Sequence, residues 1–124
     1  MSIARGDVEA AVNCLMTRGG RYGESKWASL QVAEKVLKAA IELAGTKFKF
    51  THGLSELCHT LSDTGLVFDA RLQVSAIQCK PGIRYGEEPC SRDEALLAHH
   101  AAMELINILC EAGAKFSRGI GGIT

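Results

Sequence analysis

The residues best equipped for chemistry gather in the last third of the chain. Lys80, Arg84 and Arg92 bracket a short stretch, KPGIRYGEEPCS, in which Tyr85 directly follows Arg84. An arginine fork donates bidentately to phosphate, and a tyrosine ring offers a flat surface on which a base can stack. If Lys38 faces the same groove, Lys38, Arg84 and Tyr85 together would hold a nucleotide. The same residues equally fit a solvated loop whose tyrosine packs down on the protein. Further on, Arg92 and His99 are separated by about two helical turns, so both project from one flank, which also carries Met103 and Cys110. A histidine on the edge of an apolar face also suits a hydrogen-bonded packing contact or a dimer contact. An arginine in a first helical turn also suits a solvated charge.

Other chemistries find less support. The five cysteines (Cys14, Cys58, Cys79, Cys90 and Cys110) are odd in number and contain no CxxC spacing. Neither a disulfide framework nor a zinc ribbon is expected, and buried small hydrophobes in a reducing compartment account for them. His52, Cys58 and His59 match no metal-ligand spacing. We therefore expect neither a metal nor a cofactor. Fourteen basic residues balance fourteen acidic ones, so any site for a polyanion must be a local patch rather than a global field.

Positioning these residues requires a scaffold, and at 124 residues the chain is one domain with room for a real core. The organising element is the stretch from Trp27 to Ala44. Leu30, Ala33, Leu37, Ala40, Ile41 and Ala44 form an apolar stripe, widened by Val32, Val36 and Leu43 to more than half the circumference. Gln31, Glu34, Lys35, Lys38 and Glu42 are left for the solvent arc, and Gly45 suits the C-terminal cap. So broad a stripe predicts a helix covered on two or three sides.

Around it the periodicity predicts four more helices. The first runs from Asp7 to Arg18 and stops at Gly19-Gly20. GGRYGESK then leads into the central helix, with Ser25 as cap. After Gly45, TKFKFTH reads as an extended connection whose Phe48 or Phe50 plugs the bundle end. Thr51 caps a short helix carrying Leu54, Leu57, Cys58 and Leu61. Another helix spans Asp63 to Cys79, capped by Asp63, with Val67, Ala70, Val74 and Ile77 inward. KPGIRYGEEPCS, with both prolines, reads as a loop. The last helix starts at the capping box formed by Ser91 and Glu94. It buries Ala95, Ala98, Ala102, Leu105, Ile106 and Leu109, leaves His100 and Glu104 wet, and ends at Gly113. Residues 116–124 read as a flexible tail. The expected fold is all-α, an antiparallel up-and-down bundle of about five helices in a single domain, 1–124. No apolar run is long enough to span a membrane, and MSIARGDVEA holds no signal-peptide core, so a cytoplasmic location is expected.

The order of these pieces resembles the HEPN domain family. The resemblance rests on A-E-K-x-L-K-A (Ala33 to Ala39), then T-H-x-L-x-x-L (Thr51 to Leu57), then Arg84-Tyr85 before an alanine-rich last helix, and it runs from about Asp7 to Ala114. Two positions depart from it: the family usually has aspartate where this chain has Gly53, and proline where it has Gly86. The resemblance implies a helical module that commonly dimerises. Its members bind nucleotides, partner small nucleotidyltransferases in toxin–antitoxin pairs, or act as metal-independent RNases. The RNase members resemble one another in an R-x4–6-H motif, often with a polar residue after the arginine; here Arg92-Asp93 and His99 fit that pattern. In such chemistry the 2′-hydroxyl attacks the adjacent phosphate, with histidine as general acid or base and arginine on the developing charge.

These residues and the resemblance lead to one main expectation: a module binding nucleotide or RNA, homodimeric, working with a nucleotidyltransferase. The alternatives are a metal-independent endoribonuclease using Arg92 and His99, and a purely structural interaction domain.

Overall fold

A computed structural model describes residues 21–48 and 53–121, with side chains up to residue 115. The described part is all-helical: α1 (Tyr22–Leu43), α2 (Leu54–Ser62), α3 (Arg71–Ile77), a 3-10 turn (Pro81–Tyr85) and α4 (Arg92–Gly121). The helix expected over Asp7 to Arg18, the Thr51 cap and Phe50 lie outside the described residues.

Helix α1 is the hub and touches every other described element. Its stripe is buried as far as Ile41, with Leu30, Leu37 and Ile41 fully enclosed, whereas Ala40 is half-buried and Ala44, just past the helix end, is exposed. They meet Leu54, Leu57 and Leu61 of α2, Ile77 of α3, and Leu105 and Leu109 of α4 in one core. Enclosing each such leucine or isoleucine contributes about 1.5–3 kcal/mol. Phe48 packs against the same core beyond the end of α1, where Gly45 takes a φ of +77° and stops the helix.

Several boundaries differ from the sequence expectation. Helix α1 starts at Tyr22, so Ser25 is a buried residue inside it rather than its cap. Leu43 is 86% exposed, because no described element covers its side of the last turn. Glu34, assigned to the solvent arc, is only 6% exposed. It keeps Lys38 within 3.6 Å, which offsets part of the cost of enclosing a carboxylate.

The largest difference lies between α2 and α3. Thr64 Oγ1 donates to the Leu61 carbonyl at 2.6 Å, and the Gly65 N–H reaches the Ser62 carbonyl at 3.0 Å. With Gly65 at φ +98°, these bonds end α2 where the sequence pattern suggested a new helix beginning at Asp63. Residues 66–70 run without regular structure, leaving Val67 exposed, and α3 starts only at Arg71. There Asp69 Oδ1 accepts the Arg71 backbone N–H at 3.1 Å. The α2–α3 pair is tied by Gln78, whose Oε1 accepts the Leu54 N–H at 2.9 Å.

The stretch read as a plain loop contains the 3-10 turn. Pro81 fits its first position, where a missing N–H costs nothing, and Ile83 is its buried anchor. Helix α4 begins as expected, with the Glu94 N–H donating to Ser91 Oγ at 3.1 Å. It passes through Gly113 and continues to Gly121. A glycine inside a helix costs only about 1 kcal/mol, which the packing of α4 overrides, so residues 116–121 are helical rather than a loose tail.

Candidate functional site

Two residues singled out from the sequence stand together in a built arrangement. The Arg84 guanidinium carbon lies 4.8 Å from the Trp27 ring centre and 4.7 Å from that of Tyr85. Trp27 is buried, whereas Tyr85 is 69% exposed. Cation–π attraction favours both contacts, by about 0.5–1 kcal/mol at an exposed ring and more at a desolvated one. The Arg84 Nε–H is itself buried and has no hydrogen-bond partner among the described residues.

The local sequence explains why these groups meet. A Cβ at Gly23 would fall on the Ile83 carbonyl, so only glycine lets the first turn of α1 lie against the 3-10 turn. Trp27 is one turn further along the same face of α1. Gly86, with φ +78°, then ends the 3-10 turn directly after Tyr85. Beside Arg84 opens a hollow of about 300 Å³, lined among others by Arg21, Glu24, Glu88 and Cys90. Glu24 is 3.6 Å from Arg21, and Glu88 is 3.9 Å from Lys80.

Lys38 does not join this group. It lies eleven residues beyond Trp27, about 16 Å along the helix. Its ammonium sits 3.6 Å from Glu34 and 5.4 Å from the Phe48 ring centre.

Arg92 and His99 lie on α4, separated by about 10 Å along its axis. Arg92 is exposed in the first turn and His99 is half-buried. Burial, and secondarily the neighbouring His100, lower the pKa of His99 and favour its neutral imidazole. The two rings stand edge to face, 6.0 Å apart. Met103 on the same flank packs against the core, while Cys110 is exposed. Neither Arg92 nor His99 lines the hollow beside Arg84.

A second cleft, of about 790 Å³, separates α2 from α3. Cys58, His59, Phe68, Arg71 and Gln78 contribute to its walls. The sequence reading missed it, because one continuous helix from Asp63 leaves no gap there; the only warning was Thr64-Gly65. Cys58, Cys79 and Cys90 are half-buried free thiols. Burial pushes the Cys58 and Cys79 thiols up to about 11. Among the described residues no three His, Cys, Asp or Glu side chains are grouped to hold a metal ion, and no helix is long and apolar enough to cross a membrane.

The sequence reading also missed Trp27, Glu24 and Glu88. In the sequence Trp27 has no role beyond opening the central helical stretch, since nothing local to it indicates an arginine so much later in the chain. A comparison with curated proteins and one with solved structures each returned no match. The model of one family, described as HEPN domain, matches residues 1–112, and with nearly the whole chain matched, this protein belongs to the HEPN domain family.

Proposed function

We propose that this HEPN domain recognises nucleotide or RNA through Arg84 and Tyr85, as a homodimer that works with a small nucleotidyltransferase in a toxin–antitoxin-type pair. One observation carries the recognition: the exposed ring of Tyr85 rests on the Arg84 guanidinium, which rests in turn on buried Trp27. A ring held from below is already oriented, so a base stacking on it orders little else. Lys38, outside this group, is left to the packing of α1 against Phe48. Family membership supports the homodimer and the nucleotidyltransferase partner.

The test is titration with nucleoside monophosphates and short single-stranded RNA, comparing wild type with Tyr85→Ala. Stacking is worth about 1–3 kcal/mol per base, so Kd rises roughly 5- to 150-fold in the variant. Melting changes little, because the ring is exposed. Absence of binding by any of these ligands, or equal binding by both proteins, sinks the proposal. Light scattering tests the homodimer, and co-purification with a neighbouring nucleotidyltransferase tests the pair.

The state of His99 favours a second reading, a metal-independent endoribonuclease. A neutral imidazole at the edge of the core is fit to take a proton from a 2′-hydroxyl, with exposed Arg92 on the phosphate. RNA cleavage in EDTA that disappears in His99→Ala with an unchanged melting profile supports it; equal cleavage by both proteins removes it. A purely structural interaction domain gives neither binding nor cleavage.

A further inference from the structure

We infer that the hollow beside Arg84 selects guanine, reading the base and leaving the phosphate in solvent. This rests on the nucleotide-binding role assigned above to the Arg84–Tyr85 stack and adds which nucleotide is chosen.

The volume, about 300 Å³, lies at the small end of ligand pockets, suited to one base rather than an oligonucleotide. Its charged lining is mixed: Arg21 and Arg84 supply only donors, Glu24 and Glu88 only acceptors. Two guanidinium groups opposed by two carboxylates give no excess positive charge for a phosphate. They suit instead a neutral planar group with one donor edge and one acceptor edge.

Among the four bases, guanine fits that description best. Its N7 and O6 are adjacent acceptors, the pair that an arginine fork takes bidentately. Its N1–H and N2–H2 are adjacent donors, matching the two oxygens of one carboxylate. Adenine alternates donor and acceptor along its N6–N7 edge, cytosine offers a single amino donor, and uracil a single imino donor. No other base presents both a two-acceptor and a two-donor edge.

The protein groups are available for this exchange. The Glu24 and Glu88 side chains are 43% and 45% exposed, and among the described residues each is paired with a rim cation, Arg21 or Lys80. Exposed pairs of this kind are weak and readily traded for a ligand. Tyr85 is not part of that lining but packs on Arg84, which is, so the choice among bases falls to the charged lining.

The chain has a single tryptophan, Trp27, and it lies under Arg84, so its fluorescence reports on the site directly. Full-length protein is titrated with GMP, AMP, CMP, UMP and unphosphorylated guanosine. GMP is expected to bind about tenfold tighter than the other three nucleotides, the discrimination of one good bidentate contact, and guanosine to bind as well as GMP. In the Glu24→Gln, Glu88→Gln double variant the preference falls towards unity while AMP binding persists. Both glutamates are half-exposed at the rim, and circular dichroism verifies the fold. Equal affinity for all four nucleotides, a guanine preference that survives in the double variant, or guanosine binding far more weakly than GMP overturns this inference and leaves the stacking site standing. Failure of every nucleotide to bind overturns the stacking site and, with it, the inference.

Discussion

Replacing Gly23 by alanine tests the contact on which the site depends. Inside a helix, alanine is preferred to glycine by about 0.5–1 kcal/mol, so propensity alone predicts a stabler protein. At Gly23 that gain is opposed, because the added Cβ meets the backbone carbonyl of Ile83, which cannot rotate away as a side chain would. Forcing an extra carbon into a packed contact costs about 1–3 kcal/mol. Gly113 supplies the control: it lies within α4, and a Cβ there meets nothing within 4 Å. In the difference between Gly23→Ala and Gly113→Ala the propensity gain largely cancels, leaving about 1–3 kcal/mol for the contact itself. For a domain of this size that corresponds to roughly 4 °C in Tm for each kcal/mol. Urea unfolding followed by circular dichroism gives both stabilities, with unchanged m values as the check that the unfolded ensembles are alike. Trp27 emission read in parallel shows whether the 3-10 turn has lifted from α1. If Gly23→Ala is as stable as Gly113→Ala, the 3-10 turn does not lie against α1 as described, and the Arg84 stack loses its support.

Three further outcomes are expected. Leu37→Ala removes a fully enclosed side chain from the hub helix and costs about 2–5 kcal/mol in urea unfolding; a loss under 1 kcal/mol means the core is looser than described. Among the described cysteines, alkylation by iodoacetamide at pH 7 reaches exposed Cys110 first, whereas Cys58 and Cys79, held as neutral thiols near pKa 11, react far more slowly; mass spectrometry of the modified peptides gives the order. Because burial lowers the pKa of His99, the unfolded chain binds its proton more readily than the folded one. The contribution of His99 is thus complete above its ordinary value of 6.5 and declines as pH falls from there through the lower folded pKa. His99→Gln should lose less stability than wild type between pH 7.5 and 5.5, and an identical loss would place the ring in water.

What was legible in the sequence was whatever short-range spacing controls. The stripe of α1, its stop at Gly45 and the Ser91 cap of α4 all follow from residues within a turn or two of one another. The helical period failed where apolar spacing continued across a break. Val67 sits in step with Ala70, Val74 and Ile77, yet Thr64 and Gly65 close α2 by hydrogen bonds that hydropathy does not register. Gly113 misled in the other direction, since packing along α4 outweighs one glycine. Of the site, Arg84 and Tyr85 were visible by type, but Trp27 beneath them was not, because a long-range contact leaves no local spacing. The departure at Gly86 also gains a reason: its φ of +78° is one that proline, restricted to about −65°, cannot take.

The bond from Leu54 to Gln78 has a consequence for how this protein breathes. At nine and seven residues, α2 and α3 are each too short to persist alone in water. The amide that opens α2 is satisfied by the residue that closes α3, so neither end can fray without releasing the other. The bond couples the start of α2 to the end of α3, although each packs mainly on a long helix, α2 on α1 and α3 on α4. The cleft between α2 and α3 is lined wholly by these two helices and the segment between them, so this one bond spans the end of the cleft and loosening it would change the cleft's width first.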